Sequence, residues 1–188
     1  MKRYCLYLFI LIGISCSAEL KAQRNGTVYK GNDPAVRYTG RTLVSSDGSV
    51  AFDWVGTYLE TRFTGGRLSV KVSETGTSYY NVFVDGKLHK VVKVCGTDTL
   101  IHLVSGIDKR IHSLKIQKRS EGEFGKTTIH QFVLSGSGRL AEEPAVRTRH
   151  IEFIGNSLTC GYGTDGKHRD EPFLVETENC NLTFASMV

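Results

Sequence analysis

The amino-acid sequence predicts an all-β sandwich over roughly residues 41–140, followed by the opening strand and helix of an α/β unit. Three observations carry this reading. Between Arg41 and Leu140, short runs of alternating apolar and polar residues succeed one another with no long 3.6-residue apolar period. Glycine-containing turns separate the runs, the pattern of sandwiches and barrels. Past the Gly136–Arg149 junction the character changes. One apolar run, Ile151–Ile154, leads into a loop of small residues and then a stretch with helical spacing.

The first residues read as an export signal. Lys2 and Arg3 precede an apolar core, Tyr4–Ser15, and small residues follow, which favours cleavage after Ala22. An uncleaved anchor and a lipoprotein signal at Cys16 are the alternatives. The apolar run is too short to span a bilayer comfortably. The chain is therefore expected to be secreted or periplasmic, with domains at 1–22 (signal), 23–147 (sandwich) and 148–188 (the start of a second domain).

Gln23–Gly40 reads as an irregular lead-in. Val50, Phe52 and Trp54 alternate as a strand. Tyr58–Phe63 and Leu68–Val72 follow as two strands, with Gly65-Gly66 as their hairpin turn. Tyr79–Val84 and Leu88–Val94 flank Asp85-Gly86, a strong two-residue hairpin signal. Leu100–Val104, Ile111–Ile116 and Thr128–Leu134 complete the set. Trp54, Tyr58, Tyr79 and Tyr80 are the aromatics that an exposed sheet face could stack on sugar rings. Core or interface packing is the favoured fate of Trp54 and Tyr58. His89, His102, His112 and His130 are scattered without metal-ligand spacing, which suits surface or packing roles.

The formal charge is +5 over 188 residues. Setting aside Lys2, Arg3, Lys21 and Glu19 leaves a mildly basic remainder with interleaved acids, which excludes a nucleic-acid-binding pattern. Cys95, Cys160 and Cys180 form no CxxC, so no metal site is predicted. Cys160–Cys180 is one candidate disulfide, with free buried thiols as the other reading. Sequons lie at Asn25 and Asn181.

The chemistry concentrates in Arg149–Gly163, RHIEFIGNSLTCGYG. Ile151, Phe153 and Ile154 read as a buried strand, ended by Gly155. A serine just past such a strand sits where open α/β sheets place ligands. The block Ile151-Glu152-Phe153-Ile154-Gly155-Asn156-Ser157-Leu158-Thr159-Cys160-Gly161-Tyr162-Gly163, with Glu171-Pro172-Phe173 and Thr177-Glu178-Asn179 after it, resembles the nucleophile block of SGNH (GDSL-like) hydrolases. It is most similar to that of carbohydrate esterase family two. Asn156 departs from the commoner Asp of that family.

The resemblance implies a jelly roll ahead of an SGNH domain, and Ser157 as nucleophile with its main-chain N–H as an oxyanion donor. Gly155, Asn156, Thr159, Gly161 and Gly163 would support the loop. The implied reaction removes acetyl groups from a plant polysaccharide such as xylan, with no metal or organic cofactor. In the family a D-x-x-H block near the C-terminus supplies the base; His168, in a polar loop soon after Ser157, and His150, at the opposite end of the strand, are weak candidates for that role. An unassisted serine hydroxyl is a weak nucleophile. The 188-residue chain alone is therefore expected to be inactive. Its C-terminal piece is expected to be poorly ordered or to lean on the sandwich, and Glu176–Val188 to be helical. The alternatives are a non-catalytic carbohydrate-binding sandwich with a vestigial esterase segment, and an SGNH lipase.

Overall fold

A computed structural model describes residues 26–142 and 148–187. The signal reading of residues 1–22 lies outside the described residues. The described residues form nine strands: β1 (Thr27–Lys30), β2 (Val36–Thr39), β3 (Leu43–Val44), β4 (Val50–Phe52), β5 (Tyr58–Glu74), β6 (Thr77–Val84), β7 (Lys87–Cys95), β8 (Thr99–Lys118) and β9 (Thr127–Ser135). Their order is β3-β4-β9-β5-β8-β6-β7, with β1 on β9 and β2 on β5, all antiparallel. The lead-in thus contributes two strands where an irregular segment was expected. Val36 of β2 pairs with Thr61 and joins the core.

Two strands are long because each serves both layers of the sandwich. The first half of β5 pairs with β2 and the second half of β8; its second half pairs with β9 and the first half of β8. Gly65-Gly66 is therefore not a hairpin. It is a bulge where β5 passes from one layer to the other, with register shifts around Gly66. Gly66 has φ +89°, and a Cβ there would collide with the Ser135 carbonyl. A bulge and a hairpin draw on the same glycines, because both need positive φ. Leu100–Val104 and Ile111–Ile116 merge in the same way into β8, which passes through Gly106 at φ +71°. The Asp85-Gly86 hairpin forms as expected. Both residues have positive φ, and Val84 pairs with Lys87.

The core fills the space between the layers. Leu59, Phe63, Leu68, Val70, Val72, Tyr80, Val82, Leu114, Ile116, Ile129, Phe132 and Leu134 are all buried there. In β9 the inward positions are Ile129, Phe132 and Leu134, which breaks strict alternation. A bulge accounts for this: Val72 pairs with Ile129, but Lys71 pairs with Gln131, leaving His130 as the extra residue.

Three of the scattered histidines are held within the sandwich. His102 Nδ1 and His130 Nε2 each lie 2.8 Å from a serine hydroxyl, Ser69 and Ser73. The His130–Ser73 pair is not a catalytic triad: Asp98 approaches the same nitrogen of His130 that meets Ser73, so it cannot orient the ring as a third member. His112 is buried beside Phe63 with both nitrogens engaged, Nδ1 to Asp85 at 2.7 Å and Nε2 to Asp108 at 3.0 Å. A histidine that donates from both nitrogens is held as the imidazolium.

The hydrogen bond to Asp85 raises the His112 pKa. Hydrogen bonds to the Arg110 backbone and side chain, with His112 contributing, bring Asp108 down to about 2. The histidine's contribution to stability is present below its unfolded pKa of about 6.5 and is lost as pH rises through the raised folded value. The aspartates' contribution is present above about 3.9 and is lost as pH falls. The cluster is thus strongest in mildly acidic solution. Replacing His112 with Gln is expected to destabilise the protein more at about pH 5.5 than at pH 8.5. Denaturant unfolding of both proteins across that range checks it; an unchanged difference would refute the imidazolium assignment.

Candidate functional site

The segment 148–187 packs on the sandwich, one of its two expected outcomes. Its anchor is Arg119, just past β8 and 3% exposed. The guanidinium donates from Nε to the Glu178 carbonyl (3.0 Å) and from Nη2 to the Glu176 carbonyl (3.1 Å) and the Asp165 carboxylate. Nη1 reaches Asn81 Oδ1 at 3.5 Å. Asn179 closes the network, accepting from Asn81 Nδ2 at 2.9 Å and donating to Asp165 at 3.0 Å. Beside it, Cys180 Sγ meets the Lys118 carbonyl at 3.3 Å. Further out, Tyr162 stacks on Phe173 with centroids 3.7 Å apart, and Phe124 of the sandwich tilts against both.

The loop of Gly155–Gly163, with Ser157, is presented from this support. A short helix, α1 (Ser157–Cys160), is capped by Asn156, whose Oδ1 accepts from the Leu158 N–H at 3.1 Å. Asn serves this as well as Asp would, because a cap needs an acceptor oxygen and not a charge. Ser157 is the first helical residue and is exposed. Its N–H belongs to the first turn, where no intrahelical acceptor exists.

Gly161 ends the helix at φ +85°, and its carbonyl accepts from the Asn179 N–H at 3.0 Å. A Cβ on Gly161 would stand 2.5 Å from the Asn179 carbonyl oxygen, whereas one on Gly163, at φ +67°, would meet open space. Gly161→Ala is accordingly expected to cost about 2–3 kcal/mol, and Gly163→Ala about 1 kcal/mol. Thermal unfolding of the two variants tests the ranking.

Two expectations for this segment fail. Ile151–Ile154 is not a buried strand: it has no strand pairing, and Ile151 and Ile154 are 76% and 80% exposed. A strand needs neighbours to take its backbone hydrogen bonds, and among the described residues no strand pairs with these; Phe153 packs edge-on against Phe184 with centroids 5.8 Å apart, while both isoleucines stay exposed. Residues 175–186 form three short 3-10 turns, not a helix. Helices this short draw their stability from a packed apolar face, and Leu182 and Phe184 remain exposed.

Trp54 is also misplaced by sequence. β4 ends at Phe52, and Trp54 is 54% exposed with the Arg41 guanidinium 4.9 Å over its ring. Arg41 in turn pairs with Glu152, just ahead of the serine loop, at 3.2 Å. Tyr80 is core, and Tyr79 donates to Glu176 at 3.2 Å.

Gly155, Asn156, Ser157, Thr159, Gly161 and Gly163 are thus brought together as one loop. Among the described residues, no hydrogen bond joins a histidine to Ser157. Both Cys160 and Cys180 are free, with their thiols turned to different partners. The residues that sequence reasoning passed over are Arg119, Asn81, Asp165 and Glu121. Glu178 and Asn179 were visible as part of Thr177-Glu178-Asn179, but only as a motif without a role. Among the described residues, no helix is long and apolar enough to cross a membrane.

Comparison with known proteins points the same way. Residues 38–144, more than half of the chain, match the family described as carbohydrate esterase 2 N-terminal. A cellulase/esterase, CelE, from Acetivibrio thermocellus is 32% identical over 156 residues, covering 83% of this chain and 19% of that protein. An acetylxylan esterase / glucomannan deacetylase from Cellvibrio japonicus is 30% identical over 135 residues, covering 71% and 37%. Among solved structures, a family two carbohydrate esterase from Clostridium thermocellum in complex with cellohexaose superposes with a TM-score of 0.77 at 32% identity. That match covers 81% of this chain and 46% of the other. The chain therefore spans less than half the length of these relatives. With its sandwich and these matches together, the chain belongs to the carbohydrate esterase 2 N-terminal family.

Proposed function

We propose that this chain supplies the jelly-roll sandwich and the nucleophile segment of a secreted, SGNH-type serine esterase that removes acetyl groups from a plant polysaccharide such as xylan. The observation that carries the reading is Ser157, exposed at the first position of α1, held by the Asn156 cap and backed by the Arg119 network. In this reading Ser157 Oγ attacks the acetyl carbonyl carbon. Its proton passes to a base, a histidine of the family's D-x-x-H block as the resemblance implies, and from there to the sugar oxygen as the ester C–O bond breaks. The Ser157 N–H donates to the developing oxyanion, and water then releases acetate from the acyl-serine. Gly155, Thr159, Gly161 and Gly163 keep the loop narrow enough for the ester to approach.

No base reaches Ser157 within the described residues, so the 188-residue chain alone is expected to lack turnover. Fusing it to the C-terminal part of the Clostridium thermocellum family two esterase tests the assignment through acetate release from acetylated xylan. Activity in the fusion that falls to background with Ser157→Ala supports it. Activity that survives Ser157→Ala overturns the nucleophile. Turnover by the unfused chain that Ser157→Ala abolishes overturns its inactivity.

A second reading rests on the exposure of Trp54. With Arg41 over one face of the indole, the ring is a fixed, half-exposed apolar surface of the kind that stacks on sugars. A non-catalytic glycan-binding role predicts retardation of the chain in a gel containing acetylated xylan, lost on Trp54→Ala. No retardation removes this reading and leaves the esterase reading untouched.

A further inference from the structure

The sequence contains no metal-binding spacing, yet the fold assembles three ligands from three places. Glu121 lies in the turn after β8, Cys160 is the last residue of α1, and Glu178 comes from the segment docked by Arg119. One ligand atom from each lies within 4.8 Å of the others. Cys160 is 8% exposed, and Glu178 is completely buried. Glu178 Oε2 accepts from the Glu121 N–H at 3.3 Å, whereas Oε1 is buried with no hydrogen-bond partner. A buried carboxylate oxygen without a donor is costly unless something positive meets it. The nearby cation does not serve: the Lys118 amine is engaged by the Ser78 hydroxyl and the Gly125 carbonyl.

We propose that Glu121, Cys160 and Glu178 form a site for a thiophilic divalent cation, of which Zn2+ is the natural probe. One thiolate and two carboxylates suit Zn2+ and disfavour Mg2+ or Ca2+, which take oxygen ligands alone. Metal–ligand distances of about 2.0–2.3 Å require the three atoms to draw together by about 1 Å. Three protein ligands leave a fourth position for water.

On binding, the Cys160 S–H bond breaks and an S–metal bond forms. Its proton goes to solvent, as does the proton on Glu178. Burial pushes the Cys160 thiol up to about 11 and Glu178 up to about 7, so both carry protons to release near neutral pH. The ion would tie α1, and with it Ser157, to the sandwich. The site does not depend on the esterase reading, because its test reads metal and not acetate.

The test is titration of the reduced chain, carrying Cys5→Ser, Cys16→Ser and Cys95→Ser to remove every thiol except Cys160 and Cys180, with Co2+ and then Zn2+. The expected result is a thiolate-to-cobalt charge-transfer band that Zn2+ bleaches, with Mg2+ and Ca2+ inert. The band is expected to vanish in Cys160→Ser, persist in Cys180→Ser, and need at least about tenfold more metal in Glu178→Gln. Release of about one to two protons per Zn2+ at pH 7, at least the thiol's, read by pH-stat, is independent of any variant's folding. No band at millimolar Co2+, a band that survives Cys160→Ser, a band lost only in Cys180→Ser, or Zn2+ uptake without proton release would each overturn the site.

Discussion

Replacing Arg119 with Met is expected to free residues 148–187 from the sandwich while the sandwich stays folded. The guanidinium is buried and bonds to a carboxylate, two main-chain carbonyls and a side-chain amide, which come from three separate stretches of chain. Methionine keeps much of the volume and removes every donor. The Glu176 and Glu178 carbonyls then lose the guanidinium together, and Asp165 keeps only the Asn179 amide beside it. Hydrogen bonds to charged groups contribute about 1.5–3 kcal/mol each, and breaking one side of a buried pair costs about 3–5 kcal/mol. A loss of that order exceeds what the remaining contacts of the segment can offset, since Ile151, Ile154, Leu158 and Met187 are exposed and add no burial. Limited proteolysis reads the result. Cleavage after the Arg residues at 149 and 169 should accelerate strongly, while the core of 27–135 resists. Equal protection in Arg119→Met and the parent would show that the aromatic cluster of Phe124, Tyr162 and Phe173 holds the segment instead.

The second large effect concerns two aromatic residues that a sequence cannot rank. Phe132→Ala is expected to cost about 3–5 kcal/mol, the range for emptying a fully buried phenylalanine. Phe132 sits in the middle of β9 between Tyr29 of β1 and Val70 of β5, so strands on both sides fix the walls of the cavity and prevent collapse. Trp54→Ala, although it removes the larger side chain, is expected to cost less than about 1 kcal/mol. Half of Trp54 is already in water, and its partner Arg41 is exposed. Urea unfolding of both variants gives the comparison. A Trp54→Ala loss equal to that of Phe132→Ala would mean that the indole is covered in solution.

Much of the sandwich was legible because its signals are local. Asp85-Gly86 needs positive φ at two adjacent residues, and few residue pairs other than Asp-Gly or Asn-Gly supply it, so that hairpin could be read directly. Gly65-Gly66 carried an equally local signal but an ambiguous one. Positive φ is needed by a bulge as much as by a turn, and only the partners of β5 on either side of Gly66 distinguish them. The same ambiguity split β8 in two.

In the Gly155–Gly163 loop, the sequence marked Asn156, Ser157 and Gly161 by family resemblance, whereas the structure shows Asn156 capping a short helix and Gly161 ending it at positive φ. The strand expected at Ile151–Ile154 was not recoverable in the same way. An apolar run states that burial is wanted, but pairing partners decide whether it happens.

By itself, then, the sequence determined the all-β class, the one unambiguous hairpin, and the serine loop with its family resemblance. These depend on backbone preference and on alternation within a few residues. The tertiary structure alone decided where β5 and β8 change layers, that Trp54 is exposed and Phe132 is not, and that Arg119 docks the serine loop. It alone brought Glu121, Cys160 and Glu178 together across 57 residues of chain, counted from the Glu121–Glu178 contact. The physical reason is range. Dihedral preference acts between neighbours, whereas burial, ion pairing and metal ligation act between residues that only the folded chain makes adjacent.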